Sequence, residues 1–72
     1  MNGSSVYRVV ELIGSSSDSW EEAARNAVRE AGRAYQDVRV GEVVEMDVLI
    51  ENGVVIAYRT KLRLSFKPAS AS

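Results

Sequence analysis

The sequence predicts an α+β fold with element order β-α-β-β, in which a three-stranded antiparallel sheet wraps around one helix. Two long runs of alternating apolar residues, at positions 38–50 and 54–66, meet at an Asn-Gly pair, which is a strong hairpin signal. A stretch beginning at residue 20 has apolar positions at helical spacing, and a β-branched run precedes it. We expect a single domain over residues 1–72, with an ordered core of about 5–67 and short flexible termini.

The first strand is expected over residues 5–13, where β-branched and aromatic residues are frequent. A glycine and three serines at positions 14–17 should end it. The helix should begin at Trp20, because Ser19 and Glu22 form a capping box that satisfies two otherwise free backbone N–H groups.

The predicted helix has an apolar stripe made mostly of alanine. Trp20 opens this stripe and is interpreted as a core residue. Since alanine brings little volume, the helix can lie close to a sheet but cannot cover two long strands. The stripe continues with Ala23, Ala24, Ala27, Val28, Ala31, Ala34 and Tyr35.

The register of the predicted hairpin follows from the parity of its apolar positions. A two-residue loop would set the apolar face of one strand against the mostly polar face of the other. A three-residue loop over 51–53 avoids this, and we expect it to pair Ile50 with Val54. The same register sets Glu45 opposite Arg59, a cross-strand pair of opposite charge.

Composition excludes several classes of function. The chain has no cysteine and no histidine, so it lacks thiol chemistry and the commonest general base and metal ligand. A net charge of -1 gives no basic footprint for nucleic acid, and no apolar run approaches the roughly 18 residues of a membrane span. The N-terminus does not resemble a signal peptide, so we expect a cytoplasmic protein. No nucleophile with a partner is visible, and an enzyme is not expected.

The long predicted strands cannot be buried inside one copy of the chain. A sheet of three strands on a small helix leaves unpaired edges and a second apolar face, which is an aggregation hazard unless it is used. A closed symmetric oligomer would use them.

The chain resembles the dodecin family over about residues 5–67. That family consists of small β-α-β-β proteins that form hollow dodecamers of tetrahedral symmetry and typically bind and store flavins, so the resemblance implies a homododecamer. The residues that carry it are VYRVVELIGSS at 6–16, SWEEA at 19–23, EVVE at 42–45, and Tyr58, Leu62, Ser65 and Phe66.

Two positions of the flavin pocket that the resemblance implies are altered. A typical flavin dodecin has a tryptophan that stacks on the ring and a glutamine that bonds its polar edge, where this chain has Val40 and Arg59. Valine has no π-face, and arginine cannot accept the hydrogen bond of the flavin imide. Both changes disfavour a standard flavin site.

A subset of the family, described as calcium-binding dodecin, resembles this chain more closely at these two places. Acidic residues near its ion positions are present as Asp18 and Glu45, with Asp47 two residues further on. Calcium needs six to eight oxygen ligands, so these three carboxylates would need carbonyls, waters or another subunit to complete a site. The structural alternative is that Asp18 favours the helix start and Glu45 pairs with Arg59.

A row of basic residues on the hairpin has two interpretations. It could attract phosphates of a nucleotide or coenzyme, or it could be a solvated face paired with Glu45 and Asp47, which we favour. The row consists of Arg39, Arg59, Lys61, Arg63 and Lys67.

Three functions from different classes are left open by the sequence. The favoured one is a non-enzymatic shell that binds and stores a small ligand or an ion, with calcium preferred to flavin. The alternatives are a flavin-storing dodecin with an unorthodox pocket and a structural assembly without ligand.

Overall fold

The computed structural model describes residues 6–67. It contains strand β1 (Arg8–Ser16), helix α1 (Trp20–Ala34), strand β2 (Val38–Glu51) and strand β3 (Val54–Phe66). The strands form one antiparallel sheet in the order β1-β3-β2, and the helix packs on one face of it, mainly against β1 and β3. The predicted element order and fold class are confirmed. The expected flexible termini lie outside the described residues.

Strand β1 continues through residues that the sequence predicted as a turn. Gly14 pairs with Thr60, and Ser16 pairs with Tyr58. The glycine allows helix and strand to approach closely, because a Cβ at this position would lie 1.8 Å from the carbonyl oxygen of Ala23. The prediction that position 14 ends the strand was therefore wrong, since the glycine serves packing within the strand.

The start of helix α1 has the predicted N-cap, but the capping box is only half formed, because the Ser19 N–H donates to the Ser16 Oγ at 3.5 Å and the Glu22 carboxylate accepts from Arg25. The Ser19 Oγ accepts a hydrogen bond from the Glu22 N–H at 3.0 Å, as expected for an N-cap. The buried stripe is narrower than predicted and consists of Ala23, Ala27 and Ala31. Because these three residues are small and lie on one face of the helix, the helix can approach the sheet closely.

The core lies between this alanine stripe and the helix-facing side of β3. Leu62, Leu64 and Phe66 are buried there, and Tyr35 lies on the Phe66 ring with centroids 4.6 Å apart. Half-buried side chains from the other elements surround the cluster, namely Val10, Leu12, Ala24 and Val38.

The hairpin loop has two residues, not the three that were predicted. Asn52 and Gly53 both adopt left-handed conformations, with φ of 52° and 77°, which is the pattern of a type I′ turn. Glu51 consequently pairs with Val54, and Ile50 pairs with Val55. The predicted Ile50–Val54 pair was wrong.

The parity conflict that argued against this loop is resolved by a β-bulge in β3. Ile56 has no direct partner, because Leu49 pairs with Ala57 while Ile50 pairs with Val55. Beyond the bulge Val48 lies opposite Tyr58, and the apolar faces of the two strands coincide again. Strand β2 contains two more bulges, at Val44 and at Arg39, where these residues have no partner in β3.

The hairpin extends past the helix and presents apolar side chains to solvent. Val43, Met46, Ile50, Val54 and Ile56 are all exposed by about half or more. In the folded chain, as the sequence predicted, the helix is too short to cover the two long strands of the hairpin. No helix within residues 6–67 is long and apolar enough to cross a membrane.

Candidate functional site

The sheet face opposite α1, here called the outer face, has a ladder of charged pairs along β3. Thr60, Leu62 and Leu64 point toward the helix and are buried, so the alternate residues point away from it. The ladder consists of Arg59 with Asp47, Lys61 with Glu45 at 3.5 Å, and Arg63 with both Glu11 at 3.1 Å and Glu42 at 3.4 Å.

The Arg59–Asp47 pair has the best geometry in the ladder. The guanidinium donates from Nε to Oδ1 and from Nη2 to Oδ2, both at 2.7 Å, in a bidentate fork. These hydrogen bonds lower the pKa of Asp47 and raise the pKa of Arg59. The predicted Glu45–Arg59 pair was wrong, because the two-residue loop and the bulge shift the register by two positions.

A pocket of about 110 Å³ lies beside this pair on the outer face. It is lined by Ile13 of β1, Glu45 and Asp47 of β2, and Arg59 and Lys61 of β3. The structure therefore brings together two of the three predicted ion ligands and one of the two predicted flavin positions. The other two predicted residues lie elsewhere.

Asp18 lies in the turn before the helix. Its backbone N–H donates to the Ser16 Oγ at 2.9 Å, and Ser19 acts as the N-cap. Among residues 6–67, no three acidic side chains come together in a group that could hold a metal ion. Asp18, Glu45 and Asp47 therefore do not form one site within a single chain.

Val40 shares the outer face but lies far from Arg59. It pairs with Ser65, six positions along β3 from Arg59, which separates the two by about 20 Å. Its side chain is exposed. One chain cannot place both residues against the same flavin ring, so a pocket containing both would need two subunits.

The basic row has partners throughout, although only Arg59 and Lys61 pair with the predicted carboxylates, Asp47 and Glu45. Besides the three ladder residues, Arg39 bonds Asp37 at 3.1 Å, which raises the pKa of Arg39. Lys67 lies over the Tyr7 ring, 5.9 Å from its centroid. These cations already have partners, so the row does not form a free phosphate-binding patch.

Trp20 contacts the backbone of Asp47 from the helix, a contact that the sequence did not predict. Its indole Nε1–H donates to the backbone carbonyl oxygen of Asp47 at 2.9 Å, and its ring meets Tyr58 edge-on at 5.0 Å. With 39% of its surface exposed, it is not the core residue that was expected. The sequence held one signal for this contact: the indole N–H of a tryptophan at the start of a helix needs a hydrogen-bond acceptor outside that helix.

The pocket can offer carboxylate oxygens, the donors that hard cations prefer. Each carboxylate already has a cationic partner, so an incoming cation must exchange with a guanidinium or ammonium group. One chain supplies two carboxylates here, fewer ligands than calcium needs.

Comparison with known proteins gives concordant matches. The family model described as Dodecin matches residues 6–68. Calcium dodecin of Mycobacterium tuberculosis is 46% identical over 63 residues, covering 88% of this chain and 89% of that protein.

Solved structures match over nearly the whole chain. Dodecin from Streptomyces coelicolor superimposes with a TM-score of 0.89 at 31% identity, covering 97% of this chain and 100% of that one. The calcium dodecin structure of Mycobacterium tuberculosis superimposes with a TM-score of 0.82 at 43% identity, covering 94% of this chain and 97% of that one. That protein is a calcium-chelating immunodominant antigen with a novel calcium-binding site.

Proposed function

The chain belongs to the dodecin family, and we propose that it forms a hollow dodecameric shell that binds and stores calcium without catalysing a reaction. Its 46% identity to a protein named for calcium supports this choice of ion. The cytoplasmic location and the absence of catalysis expected from the sequence stay predictions.

The placement of Glu45 and Asp47 at one pocket carries the calcium half of the proposal. They are two positions apart on β2, and both point to the outer face, where the Asp47 side chain is 49% exposed and the Glu45 side chain 65%. Exposed carboxylates can exchange an ion pair for a metal ion without exposing a buried charge. Waters, carbonyls or acidic residues of another subunit would complete the six to eight oxygen ligands.

The uncovered edge of the sheet supports the assembly half. Strand β2 pairs with β3 on one side only, and apolar residues along the hairpin are exposed. A second copy of the chain would pair this edge and bury these side chains.

Flavin storage is disfavoured by the two altered pocket positions. Val40 offers no ring for stacking. The Arg59 guanidinium is already held by both carboxylate oxygens of Asp47, so a flavin would have to compete with that fork.

Calorimetry with CaCl₂ at millimolar concentration tests the calcium half, with MgCl₂ as the reference cation. We expect calcium to bind the purified protein and the Glu45→Gln, Asp47→Asn double variant to bind it much more weakly. Glu30→Gln is the matched control, because Glu30 is an exposed carboxylate on the helix, paired with Arg33. If the parent shows no heat of calcium binding, or if the double variant binds calcium as tightly as the parent, the result would count against this pocket.

Light scattering tests the assembly half separately. At micromolar concentration the mass should be that of twelve chains, and a monomeric mass would remove the shell from the proposal. Riboflavin titration completes the set, because strong quenching of flavin emission by the parent protein would favour the flavin alternative.

A further inference from the structure

We infer that Trp20 is a positioning residue for the acidic pocket, which it holds through the backbone of β2 and not through a side chain of the pocket. The inference depends on the proposed function only for the identity of the ion. The positioning itself can be measured without any ligand.

Trp20 is attached to β2 at the residue that matters most for the pocket. The indole Nε1–H meets the Asp47 carbonyl oxygen at 2.9 Å, while the carboxylate of the same residue is held by Arg59. Asp47 is therefore fixed at its backbone by the helix and at its side chain by β3.

The indole itself stands on a rigid support. Trp20 is the first residue of α1, and its backbone carbonyl oxygen accepts a hydrogen bond from the Thr60 Oγ1 at 2.9 Å. Thr60 is 1% exposed. The edge-on contact with Tyr58 then fixes the direction of the ring.

This attachment falls on a short stretch of β2 that has a bulge at each end. Residues 45–49 form a short regular stretch between the bulges at Val44 and Ile56, and bulges locally disrupt the ladder. The stretch lies on an edge strand, and the helix otherwise contacts β2 little. Asp47 is the central residue of the stretch, so a hydrogen bond to its carbonyl oxygen can hold the backbone segment that carries both acidic side chains.

The first test uses Trp20→Phe, which keeps an aromatic ring near Tyr58 and removes the N–H donor. Without ligand, we expect NMR to show faster exchange of the backbone N–H groups of residues 45–49 with solvent, because the indole N–H no longer holds the Asp47 backbone in place. Tyr35→Phe is the control, since it removes one hydroxyl group from an aromatic residue at the other end of the helix. Exchange rates of these N–H groups that are the same in Trp20→Phe and in the parent would overturn the inference.

The second test uses the protein without altering the tryptophan, in case Trp20→Phe does not assemble. Trp20 is the single tryptophan of the chain, so its indole N–H gives one separate NMR signal. As urea is raised in the parent, this N–H and the backbone N–H groups of residues 45–49 should lose their protection from exchange together, because the indole donates to the Asp47 carbonyl oxygen. An indole N–H that exchanges as fast as a free indole while those backbone groups are still protected would show that Trp20 does not hold this stretch.

Calcium distinguishes failure of the inference from failure of the proposed function. If calcium binds, Trp20→Phe should weaken its affinity about threefold to tenfold, the range that one neutral hydrogen bond supports. Calcium binding that is equal in the variant and the parent contradicts the inference. If the parent binds no calcium, the proposed ion is wrong, and the two ligand-free measurements still decide the role of Trp20.

Discussion

Replacing Gly14 with alanine should separate the helix from the sheet. The added Cβ would lie 1.8 Å from the carbonyl oxygen of Ala23, 2.8 Å from its carbonyl carbon and 3.1 Å from the Ala27 Cβ. The two closest atoms are backbone atoms, so no side-chain rotation can relieve the contact. Overpacking a core costs about 1–3 kcal/mol, and we expect a loss near 3 kcal/mol, since the whole helix must move.

A second glycine provides a matched control with the opposite sign. Gly32 lies in the same helix, and a Cβ there would meet nothing within 4 Å. Gly32→Ala should stabilise the protein by about 0.5–1 kcal/mol, because alanine loses less backbone entropy in a helix.

Urea unfolding followed by circular dichroism measures both variants. All proteins must be compared at one subunit concentration, because the stability of an oligomer depends on it. A Gly14→Ala variant as stable as the parent, or a Gly32→Ala variant that loses as much as Gly14→Ala, would refute the packing argument.

Three further outcomes are expected. Because Arg59 lowers the pKa of Asp47, the pair stabilises the folded protein fully above the ordinary aspartate pKa of 3.8, and this stabilisation is lost as pH falls through the lowered pKa. In acid unfolding, Asp47→Asn should therefore lose less stability than the parent over that pH range. Val40→Trp with Arg59→Gln should gain flavin affinity by fluorescence titration, and a double variant that binds no better than the parent shows that these positions are misassigned. Leu64→Ala should cost about 2–5 kcal/mol in urea unfolding, since Leu64 is 0% exposed, and a smaller loss would mean that this core is not critical.

Sequence patterns predicted the elements well because each depends on neighbouring residues. The capping pair Ser19 and Glu22 marked the helix start, and Asn52 and Gly53 marked the turn. Strand β3 has its predicted limits, Val54–Phe66. Each of these signals needs only residues within a few positions of one another.

The site was predicted less well because it depends on register. The two-residue loop and the bulge at Ile56 together change which acidic residue meets Arg59, and alternation alone does not locate a bulge. The sequence therefore indicated charged pairs across the hairpin but paired Glu45, not Asp47, with Arg59. The bond from Trp20 to Asp47 spans 27 positions and needs the folded arrangement of helix and hairpin.

The bulge at Val44 also explains the double valine in β2. Val43 lies opposite Leu62 and shares the helix side, while Glu45 lies opposite Lys61 on the outer side. From Val40 onward, strand β2 thus consists of two amphipathic segments of opposite phase, joined at Val44. Because that residue has no partner, the strand could lose it and keep every cross-strand pair, whereas losing a paired residue would turn one segment over. The tolerance of β2 to changes in length is therefore confined to its bulges.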